Sequence, residues 1–165
     1  MKCAWFFSDN MDYVTRVRAN NRADLTTLGM MASQAAYAGG EDWLNQVVEY
    51  IDGNLDFVES FVRNKIPLLS VVKPQGTYLT WLDVSKVAER IGAKEMAADA
   101  TKETGRPVTP ETMIQRYFVK QAKVHMNPGS SYGFGGAGHM RMNIATSRKT
   151  LELALNNLAN ALRNL

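Results

Sequence analysis

The sequence predicts an α+β fold in which helices pack on a small, mostly antiparallel sheet. Apolar residues recur at steps of three and four residues between Leu44 and Val62, which is the spacing of one buried helix face. Two short apolar runs flank a turn at residues 73–76 and predict a pair of strands. A further run, Met140–Ala145, predicts another strand behind a glycine-rich loop. Helices covering a small sheet of this kind form an α+β layer.

The N-terminal region is predicted to contain one strand and then helices. Lys2–Ser8 is continuously apolar over Ala4–Phe7, which predicts a short buried strand. Paired charges then predict a helix over Met11–Leu28. Gly29 is expected to interrupt this helix before a second one over Met30–Tyr37.

The remaining elements follow the long helix, which Pro67 should end because proline has no backbone N–H. In order, they are strands Leu68–Val72 and Thr77–Leu82, a helix capped by Asp83 or Ser85 through Ile91, a looser helix or loop over Glu95–Thr104, a helix from Pro110 to Gln121, strand Val124–Met126, the glycine-rich loop, strand Met140–Ala145, and an amphipathic helix from Leu151 through Leu162.

The composition restricts the classes of protein to consider. The chain has 165 residues, of which 45% are hydrophobic, so it can bury a core of its own. Cys3 is the only cysteine, which excludes an internal disulfide and predicts a reducing, cytoplasmic location. No apolar run approaches the roughly 20 residues that span a bilayer. The net charge of +3 comes from basic residues scattered among acids, so neither nucleic acid nor membrane is an expected partner.

Arg141 is the candidate functional residue with the strongest chemical signal. Its neighbours Met140, Met142, Ile144 and Ala145 are expected to be buried, and an unpaired charge among them would cost several kcal/mol. The guanidinium therefore needs an acidic partner, either a local Asp or Glu or the carboxylate of a ligand. Its planar fork suits bidentate binding of a carboxylate better than lysine does.

Other residues with chemical potential give weaker signals. The loop Asn127–Gly138 lacks the lysine of a phosphate-binding P-loop, so its glycines are expected to form tight turns. His125 and His139 have no cysteine or clustered carboxylate near them in sequence, and we predict no metal site. Tyr78 can be interpreted either as a substrate-facing residue or as a tyrosine of a core strand.

Three segments carry a resemblance to a known family. The string NPGSSYGFGGAGHMRMNIATSR at residues 127–148 resembles the C-terminal signature of class I/II (fold-type I) aminotransferases, which use pyridoxal 5′-phosphate (PLP). Within that class it is most similar to the cystathionine β-lyase and C–S lyase-like branch. GTYLTWLD at Gly76–Asp83 resembles a small-domain strand of the same branch, and the helix at Gly39–Val62 fits in order and spacing. Where the branch often has Gly-Glu-Gly and an aromatic residue, this chain has Gly136-Ala137-Gly138-His139.

The resemblance implies a domain organisation and two ligand contacts. Residues 40–165 would form the small C-terminal domain of a fold-type I PLP enzyme, and residues 1–39 would be a remnant of the large PLP-binding domain. Arg141 would bind the α-carboxylate of an amino-acid substrate. Lys2 lies near the position of a basic residue that contacts the cofactor phosphate in the family. The complete enzyme would be a homo-oligomeric aminotransferase or C–S lyase.

The resemblance also implies what the polypeptide would lack. The chain would begin just after the Schiff-base lysine, so we expect it to have no catalytic residue of its own and to be inactive alone. An alternative is a non-catalytic dimerisation or binding module that associates through Trp5, Phe6 and Phe7. A free-standing carboxylate sensor, a third possibility, would bind amino acids through Arg141 without PLP.

Overall fold

The computed structural model describes residues 3–20, 25–163 and 165. The chain divides into two compact units, residues 1–48 and 49–165. The predicted domain boundary between residues 39 and 40 stays a prediction. Across the described part of the chain, every helix is too short or too polar to cross a membrane.

Helices packed on a small antiparallel sheet confirm the predicted fold class. A π-helical turn at Phe118–Ala122 extends the sixth helix, and a 3-10 turn at Gly129–Tyr132 lies between the last two strands. The elements are α1 (Met11–Asn20), α2 (Thr27–Gly39), α3 (Glu41–Lys65), β1 (Ser70–Val72), β2 (Leu79–Asp83), α4 (Ser85–Ile91), α5 (Ala93–Thr104), α6 (Pro110–Tyr117), β3 (Asn127–Pro128), β4 (His139–Asn143) and α7 (Arg148–Leu162).

The predicted N-terminal strand is wrong over the residues that the structure describes. Residues 3–7 have no regular structure, and the side chains of Trp5, Phe6 and Phe7 are 57%, 53% and 84% exposed. A strand needs a neighbour to pair its backbone N–H and C=O groups, and no strand of the described chain pairs with this segment. Lys2 lies outside the described residues, so its predicted contact with a cofactor phosphate stays a prediction.

The helix break was predicted at the wrong residue. The side chain of Thr26 accepts a hydrogen bond from the Gly29 N–H at 3.1 Å, which makes Thr26 the N-cap of α2. Gly29 is therefore a buried residue in the first turn of α2 and does not separate two helices. Capping chemistry overrode the low helix propensity of glycine at this position.

The second unit has its core beneath the C-terminal half of α3. Leu55, Val58 and Val62 are buried as predicted, whereas Leu44 and Val48 of the same predicted face are exposed. The periodicity correctly located the apolar face but could not show how far the core extends along it. Other fully buried large side chains come from the sheet, α6, the π-helical turn, α7 and the residues just after α3, β2 and β4, and include Ile66, Leu82, Val84, Ile114, Phe118, Met140, Ile144, Leu151, Leu155 and Leu158.

The sheet has four antiparallel strands in the order β1-β2-β4-β3. Side chains alternate along β2 and β4, so Leu82 and Met140 point into the core, while Trp81 and Arg141 lie opposite each other on the outer face. Ala145 was predicted to be buried but is exposed, because the alternation that buries Met140, Met142 and Ile144 places Ala145 on the opposite, outer side.

Two other predicted segments differ from the structure. Val124–Met126 is not a strand, and pairing starts one residue later, at Asn127. Val124 and Met126 are nevertheless buried and His125 is exposed, so the apolar alternation reported burial and not strand pairing. The polar segment predicted as a looser helix or loop is the regular helix α5, which ends at a left-handed Gly105.

Candidate functional site

Arg141 lies at the centre of β4, half-buried on the outer face of the sheet. Its guanidinium carbon lies 4.4 Å from the centroid of the Tyr132 ring, which is a cation–π contact. Among the residues that the structure describes, no carboxylate oxygen lies within 4.0 Å of its guanidinium nitrogens. The sequence left two partners open for Arg141, a local acid or a ligand carboxylate. The described chain provides no local acid as a partner.

Aromatic side chains form the surroundings of this cation. The Trp81 and Tyr132 rings are 5.8 Å apart at 86°, and the Trp81 and His139 rings are 6.2 Å apart at 90°. Such edge-to-face pairs fix ring orientation, and apolar ring surface strengthens any charge pair formed beside it. No role was predicted for Trp81 or Tyr132, because apolar residues occur on both faces of the predicted strand and its outer face is known only from the structure.

The glycine-rich loop brings Tyr132 beside Arg141 by folding closely on itself. A Cβ atom on Gly129 would lie 2.1 Å from the Gly136 carbonyl oxygen and 2.7 Å from the Trp81 ring. A Cβ atom on Gly136 would lie 2.0 Å from the Gly129 carbonyl oxygen. Because real Cβ atoms do not approach other atoms so closely, both positions require glycine. The predicted tight turns are therefore present, with a close crossing of the backbone in addition.

Glu111 holds the start of β4. This carboxylate, in the first turn of α6, is only 5% exposed, and its Oε1 accepts a hydrogen bond from the Gly138 N–H at 2.7 Å. Burial raises the pKa of Glu111, but the Gly138 N–H, its own N–H and the nearby hydroxyls of Thr109 and Ser130 favour the charged form, so the pKa is below its usual value. Glu111 was not predicted as a site residue, because an acid in the first turn of a helix is common and gives no signal of its own.

The end of β4 is held by a different network, centred on Asn54 of α3. The buried amide nitrogen of Asn54 donates to the carbonyls of Ile144 and Thr146, both at 2.9 Å. Its amide oxygen accepts from Arg148 Nε at 2.9 Å, and the Arg148 guanidinium lies 4.6 Å from the Phe57 ring centroid. Arg141 is thus carried by a strand that is anchored at both ends.

His139 and Asp83 form a cross-strand pair next to Arg141 on the same face. The His139 ring nitrogen Nδ1 lies 2.9 Å from the Ala137 carbonyl oxygen. Burial raises the pKa of Asp83, but hydrogen bonds from Ser85 and the electrostatic effect of the His139 ring lower it more, so the net pKa is below its usual value. The histidine given no role in the sequence therefore lies at the edge of the site.

The other predicted candidates lie apart from the contacts of Arg141. Tyr78 is exposed just before β2, and His125 is exposed with its ring 3.3 Å from the Gln115 amide. Cys3 is a free, half-buried cysteine. Within the described part of the chain, no three histidine, cysteine or acidic side chains are grouped to hold a metal ion.

Known proteins give independent evidence on the class of the chain. A cystathionine beta-lyase of Bacillus subtilis, PatB, is 31% identical over 146 residues, which cover 88% of this chain and 33% of PatB. The cystathionine beta-lyase of Corynebacterium glutamicum is 31% identical over 169 residues, covering 98% of this chain and 38% of that protein. A PLP-bound C–S lyase from Staphylococcus hominis superposes with a TM-score of 0.71 at 25% identity, covering 94% of this chain and 36% of the enzyme. No protein-family profile matches the chain.

The antiparallel sheet, its glycine-rich loop and these matches define a domain of the fold-type I PLP enzymes. The chain spans about a third of the length of the curated relatives it matches, and the matched third is their C-terminal part. Within that class, the chain belongs to the cystathionine β-lyase and C–S lyase-like branch, as its sequence motifs indicated.

Proposed function

We propose that this chain supplies the carboxylate-binding arginine of a PLP-dependent C–S lyase or aminotransferase that acts on amino acids. The observation that carries the proposal is Arg141 itself. Its guanidinium is held against Tyr132 in an aromatic setting, and none of the described acids pairs with it. An amino-acid α-carboxylate would complete this arrangement with two parallel N–H···O bonds.

The role of Arg141 in such a reaction is to orient the substrate. A carboxylate clamped in two places has a fixed rotation, and this rotation decides which bond of the Cα atom faces the reactive group. PLP supplies the electron sink of this class when it is bound. The site residues Trp81, Tyr132, His139 and Arg141 include one permanent cation, which can bind a carboxylate, but no lysine, which the Schiff base of PLP needs. We assign the cofactor contacts to the rest of a complete enzyme.

An NMR titration of the purified chain tests the role of Arg141. L-Alanine should shift the Arg141 Nε–Hε and Trp81 indole signals, whereas L-alaninamide, which has no carboxylate, should not. Arg141→Lys should weaken binding about tenfold because the bidentate geometry is lost. The matched control is Arg106→Lys, which changes an exposed arginine before α6 and should bind as the wild type does. Equal shifts with L-alaninamide, or equal affinity in Arg141→Lys, would contradict the proposal.

We also propose that the 165-residue polypeptide by itself has no lyase or aminotransferase turnover, since its site orients a substrate but does not hold the electron sink. The chain would be incubated with PLP and L-cystathionine, and thiol release would be measured. Borohydride reduction followed by mass spectrometry would locate any lysine adduct. We expect no thiol and no single stoichiometric adduct; turnover, or one defined adduct, would disprove this part of the proposal.

Self-association is a second candidate function, favoured by the exposure of Trp5, Phe6 and Phe7. Three adjacent exposed aromatic side chains are an unusual surface for a monomer. Light scattering after gel filtration should give twice the monomer mass for the wild type and the monomer mass for the triple change to serine. Phe134→Ser, at a fully exposed aromatic residue elsewhere, is the control and should leave the mass unchanged. A monomeric wild type would exclude this function.

A further inference from the structure

We infer that Glu111 is a positioning residue for Arg141: its carboxylate fixes Gly138, and Gly138 sets the place from which β4 presents the guanidinium. This inference rests on the proposed carboxylate-binding role of Arg141 and adds a second residue to it. Glu111 lies thirty residues before Arg141 in the sequence, in the first turn of α6.

Burial of the Glu111 carboxylate costs free energy, because a buried charge loses its contact with water. Glu111 is 5% exposed, and no lysine or arginine nitrogen of the described chain lies within 4.0 Å of it. A buried charge without a cation is tolerated only when hydrogen bonds replace its water. The 2.7 Å bond from the Gly138 N–H is one of these replacements, so the carboxylate restrains that backbone group.

Both backbone groups of Gly138, its N–H and its carbonyl, make hydrogen bonds. Its N–H donates to Glu111, and its carbonyl accepts from the Val84 N–H at 3.0 Å, just after β2. Its φ of +77° is a left-handed conformation that leaves the chain little freedom once both bonds are made. β4 begins at the next residue, His139, paired with Asp83. The carboxylate therefore aligns β4 on β2 at its first residue.

The start of α6, which carries Glu111, also contacts the segment that carries Tyr132. The hydroxyl of Ser130 favours the charged form of Glu111, and it lies 3.3 Å from the hydroxyl of Thr109, the N-cap of α6. Ser130 precedes Tyr132 by two residues in the 3-10 turn. Glu111 thus restrains the start of β4, while Thr109 at the same helix end contacts the turn that carries Tyr132. A displacement of Arg141 by about 1 Å is enough to spoil bidentate binding.

Two substitutions and a matched control test this inference by NMR on the full chain. In Glu111→Ala, Arg141 Hδ should lose its upfield ring-current shift from Tyr132, and the Kd for L-alanine should rise about tenfold. In Glu111→Gln the amide oxygen can still accept from Gly138, so the Kd should recover to within about threefold of the wild type. The control is Glu89→Gln. Glu89 is an exposed acid that lines the same surface groove as Glu111, together with Lys94 and Glu95, and its replacement should change neither the Arg141 Hδ shift nor the Kd for L-alanine.

The readouts separate the inference from the function on which it rests. If the wild type does not bind L-alanine, the proposed function fails, while the ring-current shift, measured without ligand, still tests the positioning. If the wild type binds and a folded Glu111→Ala has the same Kd and the same ring-current shift, the positioning role is overturned. A Glu111→Gln variant no better than Glu111→Ala would overturn the hydrogen-bond account.

A measurement on the wild type keeps the test independent of folding in the variants. As the Glu111 carboxyl ¹³C signal titrates, the Gly138 N–H and Arg141 Hδ signals should move with the same midpoint. Asp83 and the groove residues Glu89, Lys94 and Glu95 are the other charged groups nearby, so the carboxyl signals of the three acids must be followed separately. An Arg141 signal that ignores the Glu111 midpoint would refute the inference.

Discussion

The two ends of β4 are held by opposite kinds of chemistry. At its start, the buried carboxylate of Glu111 binds the N–H of Gly138. At its end, the neutral amide of Asn54 makes three hydrogen bonds, to the carbonyls of Ile144 and Thr146 and from Arg148 Nε. One anchor therefore depends on protonation and the other does not. A single strand can thus be fixed at one end whatever the pH and at the other end only while a carboxylate is ionised.

The two anchors also differ in what they hold. Asn54 joins the helix α3 to the end of β4 and to the start of the helix α7. Because it connects these large elements, it should contribute mainly to stability. Glu111 joins α6 to the loop that precedes Arg141, so it should serve mainly the geometry of the site. Substitutions at the two anchors should therefore have different effects on stability and on ligand binding.

Asn54→Ala should give the largest loss of stability, about 3 kcal/mol, because it removes the donor to the buried Ile144 carbonyl and to the part-buried Thr146 carbonyl and opens a small cavity. Urea unfolding followed by circular dichroism measures this loss. Asn64→Ala, on the same helix but exposed and bonded only to the Ser60 hydroxyl, should cost less than about 0.5 kcal/mol. Equal losses in the two variants would remove the permanent anchor from the comparison.

Gly129→Ala should destabilise the chain by about 2 kcal/mol, since the new methyl group would overlap the Gly136 carbonyl and the Trp81 ring. The same urea experiment measures it, and the Trp81–Tyr132 ring contact should be lost in the NMR spectrum. Gly76→Ala is the control, because a Cβ atom there meets nothing within 4 Å. If Gly129→Ala is as stable as Gly76→Ala, the loop does not cross as described.

The pH dependence of stability should come from the Glu111 end and not from the Asn54 end. The folded pKa of Glu111 is below its usual value, so its contribution is fully present above the unfolded pKa and is lost as the pH falls through the folded pKa. Wild-type stability should therefore decrease below about pH 4. Glu111→Gln should reduce this slope, whereas Glu89→Gln should not; the lowered pKa of Asp83 leaves a residual slope in both.

Arg141→Lys should have the smallest effect on folding, less than about 0.5 kcal/mol, because Arg141 is half-buried and its one described aromatic contact survives in part with lysine. Arg141→Lys should nevertheless weaken L-alanine binding more than Asn54→Ala does, when both variants are measured under conditions in which they are folded. A large loss of stability in Arg141→Lys would indicate that the arginine is a structural residue after all.

The sequence predicted those features that depend on local pattern. The apolar face of α3, the strand of Arg141 and the final helix follow from periodicity, and the motifs around Arg141 identified the family. The pairing of Trp81 with Arg141 depends on strand register, which periodicity does not specify between segments sixty residues apart. The two anchors were missed for the same reason: Glu111 bonds to a residue 27 positions away, and Asn54 to one 92 positions away.

The wrong predictions have a common physical cause as well. Trp5–Phe7 was predicted to be buried because of its apolar composition, and Leu44 and Val48 because of their helical spacing, yet Trp5, Phe6, Phe7, Leu44 and Val48 are exposed in the described chain. Hydrophobic side chains show what a segment can bury, but the burial itself needs a partner surface. The domain boundary and the contact of Lys2 with a cofactor stay predictions.

The crossing of Gly129 and Gly136 limits how this loop can change over evolution. The space that a side chain would need at either position is filled by the carbonyl oxygen of the other, and both residues are already the smallest available. A substitution at one position therefore has no compensating substitution at its counterpart. We expect natural and engineered variation in this loop to occur by changes of length around Phe134, where the side chain is fully exposed, and not by replacement at the crossing.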